Sequence, residues 1–422
     1  MLSLSPELFL LVTGVLLLTT VLAGTLSSRF GVPALIGFLA LGMLAGSDGP
    51  GGIGFADYQV AQTIGVACLI FILFSGGLDT PWKAVRRVLT PALALATVGV
   101  LISAGIVSLS AVLLLDFTPL QGFLLGSVIA STDAAAVFAV LRNQETRIRE
   151  DVLALIELES GSNDPMAIFL VGVALALIAA PTTPLVSFVP DFILQMVLGA
   201  GIGLLVGYAF TVILARAKLR QGGLFLVISV AAALLAFGLA GVLAGSGFLA
   251  AYVAGVLAGN RDYPGRRAVS QFQDGLAWLA QVVMFLTLGL LVFPHQLPAV
   301  ALDGLAITAV LMLVARPISV FVSLAPFGRF DWRAKLFVSW AGLRGAVPIV
   351  LATFGIVAGV KDAQAMFNIV FFVVLASSII QGPTIGLLAK QLGLVQRPAA
   401  KSSPPDDIDS ALTSPSNEES RP

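Results

Sequence analysis

The sequence predicts an all-α polytopic membrane protein with about thirteen transmembrane helices. Three observations predict it. Of 422 residues, 58% are hydrophobic and 11% charged, with a mean hydropathy of +1.01; globular chains carry about 25% charged residues. Apolar runs stand between polar breaks at the roughly 20-residue length that a spanning helix needs. The basic residues occupy alternate breaks. Net charge is zero, which points to no nucleic-acid partner. The single cysteine, Cys68, lies in an apolar run, so neither a disulfide framework nor a cysteine metal site is expected.

The first run, 6–26, has its first basic residue, Arg29, behind it. A cleaved leader carries its positive region in front, so this run reads as a retained helix with its N-terminus outside. A short second run, 33–46, precedes Asp48 and Asp57. The third, 59–77, ends before Lys83, Arg86 and Arg87. The fourth, 91–115, stops at Asp116, and the fifth, 120–141, at Arg142, Arg147 and Arg149. The sixth is 152–180 and the seventh 190–215, with Asp191 at its start and Arg216, Lys218 and Arg220 after it. The eighth, 223–244, and the short ninth, 246–259, lead to Arg261, Arg266 and Arg267. The tenth, 274–293, is followed by His295, the only histidine, in an expected external loop. The eleventh, 299–321, begins near Asp303 and precedes Arg329, Arg333 and Lys335. The twelfth, 335–358, and thirteenth, 363–390, flank Lys361 and Asp362. This alternation fixes an odd number of spans, an external N-terminus and a cytoplasmic C-terminus. Residues 1–390 form one transmembrane domain. The stretch 391–422, rich in Pro, Ser, Asp and Glu, reads as a disordered cytoplasmic tail.

Helices two and nine echo each other. Gly37-Phe-Leu-Ala with Gly42-Met-Leu-Ala-Gly46 parallels Gly247-Phe-Leu-Ala with Gly255-Val-Leu-Ala-Gly259. A shift of seven helices makes the copies antiparallel, as in an inverted-topology repeat. Short glycine-broken segments at matching positions point to a transport site.

Six ionisable residues fall inside predicted helices: Asp133, Glu157, Glu159, Asp164, Arg316 and Arg344. A charge at bilayer centre costs roughly 2.5–3.5 kcal/mol on insertion scales. At about 1.5 Å rise per residue, Asp133 lies about 16 Å from the outer end of helix five, and Asp164 about 18 Å from the inner end of helix six. Both reach the middle of a hydrocarbon core about 30 Å thick. Glu157, Ser160 and Asp164 share one face of helix six, with Asn163 beside it, whereas Glu159 faces elsewhere. Four acids exceed two arginines. Capping or pairing accounts for Glu159 and Glu157, but not for Asp133 and Asp164 as well. Two midplane carboxylates then hold either protons or a cation. Ser131, Thr132 and Ser160 add hydroxyls, and an all-oxygen cage suits a hard cation. The run Ala134-Ala135-Ala136 lets another backbone pack closely. Pro348 cannot donate to the carbonyl of residue 344, which predicts a break in helix twelve there. Asp79, in Phe74-Ser-Gly-Gly-Leu-Asp79, reads either as a helix-end acid or as a lining of a cytoplasmic funnel.

Ser131-Thr-Asp133, Glu159-Ser-Gly-Ser-Asn-Asp164, Ala315-Arg316-Pro317 and Gly342-Leu-Arg-Gly345 together resemble the monovalent cation/proton antiporters, in the sodium/proton-exchanger branch with an Asn-Asp pair that includes bacterial members. The resemblance covers the whole predicted membrane region. It implies thirteen helices, a six-helix inverted repeat, a dimerisation domain beside a mobile core, and an ion site where two broken helices cross. It implies Asp164 as the principal cation and proton ligand. Asp133 and Ser160 complete the site, Thr132 contributes an oxygen, and Asn163 orients it without adding a titrating charge. Glu159 pairs with an arginine: Arg316, or alternatively Arg344. Two departures stand out. Ala134 occupies a position where several relatives have proline, which leaves the break of helix five open. The tail is short, without the large regulatory domain of some relatives.

The expectation is therefore a secondary transporter rather than an enzyme: a homodimer in the bacterial inner membrane, with Na⁺ or K⁺ exchanged for H⁺ one-for-one and no cofactor. Two other classes also use buried acids. An intramembrane aspartyl protease would carry Gly-x-Gly-Asp, which is absent. A cation channel would conduct without obligatory proton countermovement.

Overall fold

The computed structural model describes residues 5–29, 33–143, 148–216 and 222–395. Arg147, Lys218, Arg220 and the tail from residue 396 lie outside the described residues. Among those described, every extended element is helical, and strand-like pairing is confined to the isolated bridges Gly46–Ile53 and Ile148–Val395.

Among the described residues, ten helical stretches are long and apolar enough to cross a membrane. They are α1 (Pro6–Arg29), α3 (Tyr58–Asp79), α4 (Leu89–Leu115), α5 (Pro119–Arg142), α6 (Glu150–Ala179), α7 (Phe188–Arg216), α8 (Gly222–Val242), α10 (Arg266–Leu290), α11 (Pro294–Ser323) and α13 (Ala363–Gln391). Three apolar helices are shorter: α2 (Ala34–Ala45), α9 (Gly247–Gly259) and Ala346–Val357, the second half of α12, whose first half is Trp332–Trp340. The polar breaks supply the caps. Asp57 accepts from the amide of Val60, Ser246 from Leu249 and Asp331 from Ala334, each satisfying an orphan N–H of a first turn. Thr118 and Gln121 form a reciprocal capping box with Pro119 at the first helical position.

Two bodies result. Helices α1, α2, α3, α7, α8, α9 and α10 pack into a panel, and α4, α5, α6, α11, α12 and α13 into a core bundle. The repeat is visible as matched irregularities seven helices apart. π-Helical turns interrupt α4 at Leu95–Gly99 and α11 at Leu311–Ala315. Both α5 and α12 are broken, and α6 and α13 each carry an interior proline, Pro165 and Pro383. The crossing of α2 on α10 has its counterpart in α9 on α3. A Cβ on Gly42 would lie 2.9 Å from Gly289 Cα, and one on Gly77 3.0 Å from Gly255 Cα. Glycine at both crossings lets the backbones touch, the membrane mode of helix association.

Several boundaries differ from the expectation. α10 starts at Arg266, eight residues before predicted residue 274, because the polar Gln273 is buried and donates to Ser229 Oγ of α8 at 2.8 Å. The break in α12 falls at 341–345, which includes the expected residue 344, and Pro348 itself lies just beyond it. The proline sits third in Ala346–Val357, where its missing N–H is one of the unpaired donors of any first turn. α5 breaks at 130–133 although residue 134 is alanine. α13 runs through Gln391, and beyond it the Leu394 carbonyl accepts from the amide of Arg149 at 3.2 Å.

Candidate ion-binding site

The two breaks meet. The amide of Asp133 donates to the carbonyl of Leu343 at 2.8 Å, joining the gap in α5 to the gap in α12. Four half-helix ends converge there: the C-termini of Pro119–Ile129 and Trp332–Trp340, and the N-termini of Ala134–Asn143 and Ala346–Val357. C-terminal ends carry partial negative charge and N-terminal ends partial positive charge.

The side chains answer those charges. Arg344, 1% exposed, donates from Nη1 to the carbonyl of Ala130 at 2.9 Å and to that of Ser131, so it caps the C-terminal end of the first half of α5. Gln381 donates to the carbonyl of Trp340 at 2.9 Å and Arg316 to that of Val338 at 3.4 Å, at the end of the first half of α12. Asp133 serves the opposite ends. Its Oδ1 accepts from the amide of Ala136 at 3.1 Å. Its carboxylate also lies so close to Gly345, the N-cap of Ala346–Val357, that any side chain there would collide with it.

Helix α6 supplies the rest. Ser160 Oγ donates to the Thr132 carbonyl at 2.7 Å and accepts from the amide of Ala134 at 3.0 Å. Asn163, fully buried, donates to Thr132 Oγ1 at 2.6 Å. These two residues hold the irregular backbone of α5 open without proline, which explains a break at Ala134. Asp164, 6% exposed, accepts from Ser131 Oγ. Glu159 faces away and takes a bidentate pair from Arg316, Nη1 to Oε1 at 2.5 Å and Nη2 to Oε2 at 2.9 Å, with both residues buried. Among the described residues Arg344 forms no ion pair. Its Nε and Nη2 lack protein partners.

This arrangement resolves the excess of acid over arginine. Glu159 is neutralised by Arg316. Asp133 faces two helix N-termini. Asp164 meets only a hydroxyl. Beside it lies a cavity of about 240 Å³, lined by Asp133, Thr132, Ser131, Ser160 and Asp164 and continuing past Glu157, Thr80, Asp79 and Arg142. It therefore runs from the crossing toward the end of the bundle where the basic breaks lie. Glu157, Ser160 and Asp164, expected on one face of α6, all line it; Asn163 does not. Asp79 is both a helix-end residue and a lining residue. Glu157 accepts from Thr80 Oγ1 at 2.8 Å. His295 lies apart, in the opening 3-10 turn of α11 rather than in a loop, and pairs with Asp48.

Sequence reasoning gave Ser131 only a general place among the hydroxyls and overlooked Tyr252. Ser131 is the direct partner of Asp164. Tyr252 lines the cavity, lies 3.4 Å from Thr80 Oγ1, and packs its ring on Gly161. Its signal was available, as the one polar-tipped side chain in the apolar helix α9.

Comparison with known proteins agrees with this architecture. The family described as "Sodium/hydrogen exchanger, transmembrane" matches residues 16–391. The chain is 43% identical over 388 residues to the K⁺/H⁺ antiporter NhaP of Alkalimonas amylolytica, covering 92% of this chain and 67% of that one. It is 42% identical to the K⁺/H⁺ antiporter NhaP2 of Shewanella oneidensis, covering 90% and 66%. The chain thus spans about two thirds of the length of these relatives. The solved sodium proton antiporter MjNhaP1 from Methanocaldococcus jannaschii superposes with a TM-score of 0.77 at 24% identity, over 90% of this chain and 97% of that one, and shares the fold. With the family match spanning nearly all the described helices, the chain belongs to the transmembrane sodium/hydrogen exchanger family.

Proposed function

We propose that the chain is a secondary antiporter that exchanges protons for a monovalent cation, Na⁺ or K⁺, across the bacterial inner membrane. One observation carries the proposal: Asp164 is a buried carboxylate without a compensating charge, at the crossing of two broken helices and on the wall of a cavity open to one side. Such a group takes a proton or a cation. Asp133, Ser160 and the Thr132 oxygens stand beside it as further oxygen ligands, which suit a hard ion. Asn163 holds the α5 break and brings no charge. Glu159, Arg316 and Arg344 keep the crossing charge-compensated while the Asp164 ligand changes.

In this reading the cation enters along Asp79 and Glu157, displaces the proton from Asp164, and is carried as the core bundle shifts against the panel. The empty, charged site crosses poorly, which couples the two fluxes. Exchange of one proton for one cation at one carboxylate moves no net charge. The reading takes the three shorter helices as crossing segments, giving thirteen spans, an external N-terminus and a cytoplasmic C-terminus. The cavity then faces the cytoplasm. It also takes the working unit as a homodimer. The names of the relatives at 42–43% identity favour K⁺ as the cation.

The test is a pH-jump flux assay in proteoliposomes, titrating K⁺, Na⁺ and Li⁺ in turn with the membrane potential clamped or imposed. Cation-driven collapse of the pH gradient, unaffected by voltage, is expected. A conductance without proton movement would instead favour a channel, and voltage-driven exchange would refute one-for-one stoichiometry.

A further inference from the structure

The ion cavity is not the largest space in the molecule. Between α4 and α6 of the core and α7 and α9 of the panel runs a groove of about 880 Å³. Its walls are apolar along their length, with Leu93 from α4, Met166 from α6, Val197 and Leu204 from α7, and Val253 from α9. Val197 is 63% exposed and Leu204 50%, so the groove opens sideways into the hydrocarbon region. From Leu249 to Leu257 its α9 wall runs about 12 Å at 1.5 Å per residue, within the ~30 Å hydrocarbon thickness.

One end is different. Trp82, Asn260 and Arg261 close it on the side of the basic breaks. Asn260 is engaged: it accepts from the amide of Trp82 at 2.9 Å and donates to the Thr80 and Val256 carbonyls, both at 2.8 Å. Arg261 has no ion-pair partner among the described residues. Its guanidinium lies 4.8 Å from the centre of the Tyr208 ring, while neighbouring Asp262 pairs with Arg266. An apolar slot open to lipid, ending in a guanidinium that stacks on Tyr208 without an ion pair and shares the groove end with Trp82, has the charge and shape complement of one ligand class.

We propose that this groove binds one anionic glycerophospholipid, with an acyl chain between core and panel and the phosphate at Arg261. Apolar walls cannot discriminate between headgroups, so preference for an anionic lipid rests on Arg261. The site also touches the ion cavity. Tyr252 lines both spaces and is the partition between them, so a chain in the groove buttresses the wall that rests on Gly161, next to Ser160. The binding claim does not depend on the antiport reading.

The test is fluorescence quenching of Trp82 by brominated lipids. Substituting Trp278→Phe, Trp332→Phe and Trp340→Phe leaves Trp82 as the sole tryptophan. In mixed vesicles, brominated phosphatidylglycerol is expected to bind beside Trp82 about five-fold more tightly than brominated phosphatidylcholine, as one arginine facing an anionic lipid provides about 1 kcal/mol. Arg261→Gln should bring the ratio to one. Equal quenching by the two lipids, a ratio unchanged by Arg261→Gln, or no quenching because a second copy of the chain covers the groove would each overturn the proposal. Trp340 donates to Thr384 Oγ1, so the single-tryptophan variant carries a folding risk. Native mass spectrometry of the otherwise unaltered protein and of Arg261→Gln, in micelles containing both lipids, reads the same ratio with the same expected and overturning results.

Discussion

Replacing Arg316 with leucine should be among the most destabilising single changes in the core bundle, and replacing Glu159 as well should restore most of the loss. The guanidinium and carboxylate meet in a bidentate pair at 2.5 and 2.9 Å, with Arg316 5% and Glu159 1% exposed. Removing one partner leaves a bare charge with no route to water. Breaking a buried pair in this way costs about 3–5 kcal/mol, whereas replacing both partners with apolar residues of similar volume is often neutral. Each of Arg316→Leu and Glu159→Leu should therefore lose about 3–5 kcal/mol. The double variant should lose less than either, for a coupling of several kcal/mol. Arg316→Leu also removes the donor to the Val338 carbonyl, so that single change should be the worse of the two. Reversible unfolding in mixed detergent micelles, analysed as a double-mutant cycle, measures the coupling. Additive single effects, or losses below about 1 kcal/mol each, would refute the assignment of this pair as the charge anchor of the crossing.

Three further outcomes follow from the same geometry. Gly345→Ala places a methyl group into the Asp133 carboxylate; it should destabilise the protein by about 1–3 kcal/mol and abolish cation-driven pH collapse, and wild-type flux in the variant would contradict the close approach. Arg344→Ala leaves the Ala130 and Ser131 carbonyls without their donor; at about 1–3 kcal/mol per unsatisfied group, chemical denaturation should show a loss larger than the alanine variant of any exposed arginine. Competition of proton and cation for one carboxylate requires the apparent KM for the cation to rise about ten-fold per pH unit on the acid side of the site's midpoint, with the maximal rate unchanged; initial rates at several pH values would oppose competition if pH lowered the maximal rate at constant KM.

How far the sequence reached depended on the kind of signal. Charges in apolar runs are rare, so Asp133, Glu159, Asp164, Arg316 and Arg344 stood out, and helical spacing alone put Glu159 on the opposite side of α6 from Asp164. The unusual shortness of α2 and α9 exposed the repeat. The π turns in α4 and α11 carried no comparable mark, because a single inserted residue does not disturb an apolar pattern. The α5 break has no local cause: Ser160 and Asn163 of α6 accept from the Ala134 and Thr132 amides, and Arg344 of α12 donates to the Ala130 carbonyl. Pro348 was the reverse case, a strong local signal whose effect depended on register. Three residues into its helix it opens the second half of α12, and the break lies upstream. Partner choice between Arg316 and Arg344 turned on which arginine the packing brings to Glu159 and which to helix-end carbonyls, and spacing within one helix does not encode that.

Asp164 is the group proposed to carry proton and cation by turns. Asp164→Asn, which keeps the side-chain shape and a partner for Ser131, should elute from size exclusion as the wild type does. Reconstituted at equal density under a preset pH gradient, it should show no dissipation on addition of K⁺, Na⁺ or Li⁺, whereas the wild-type gradient collapses. Cation-driven dissipation by the folded Asp164→Asn protein would contradict the account at its centre.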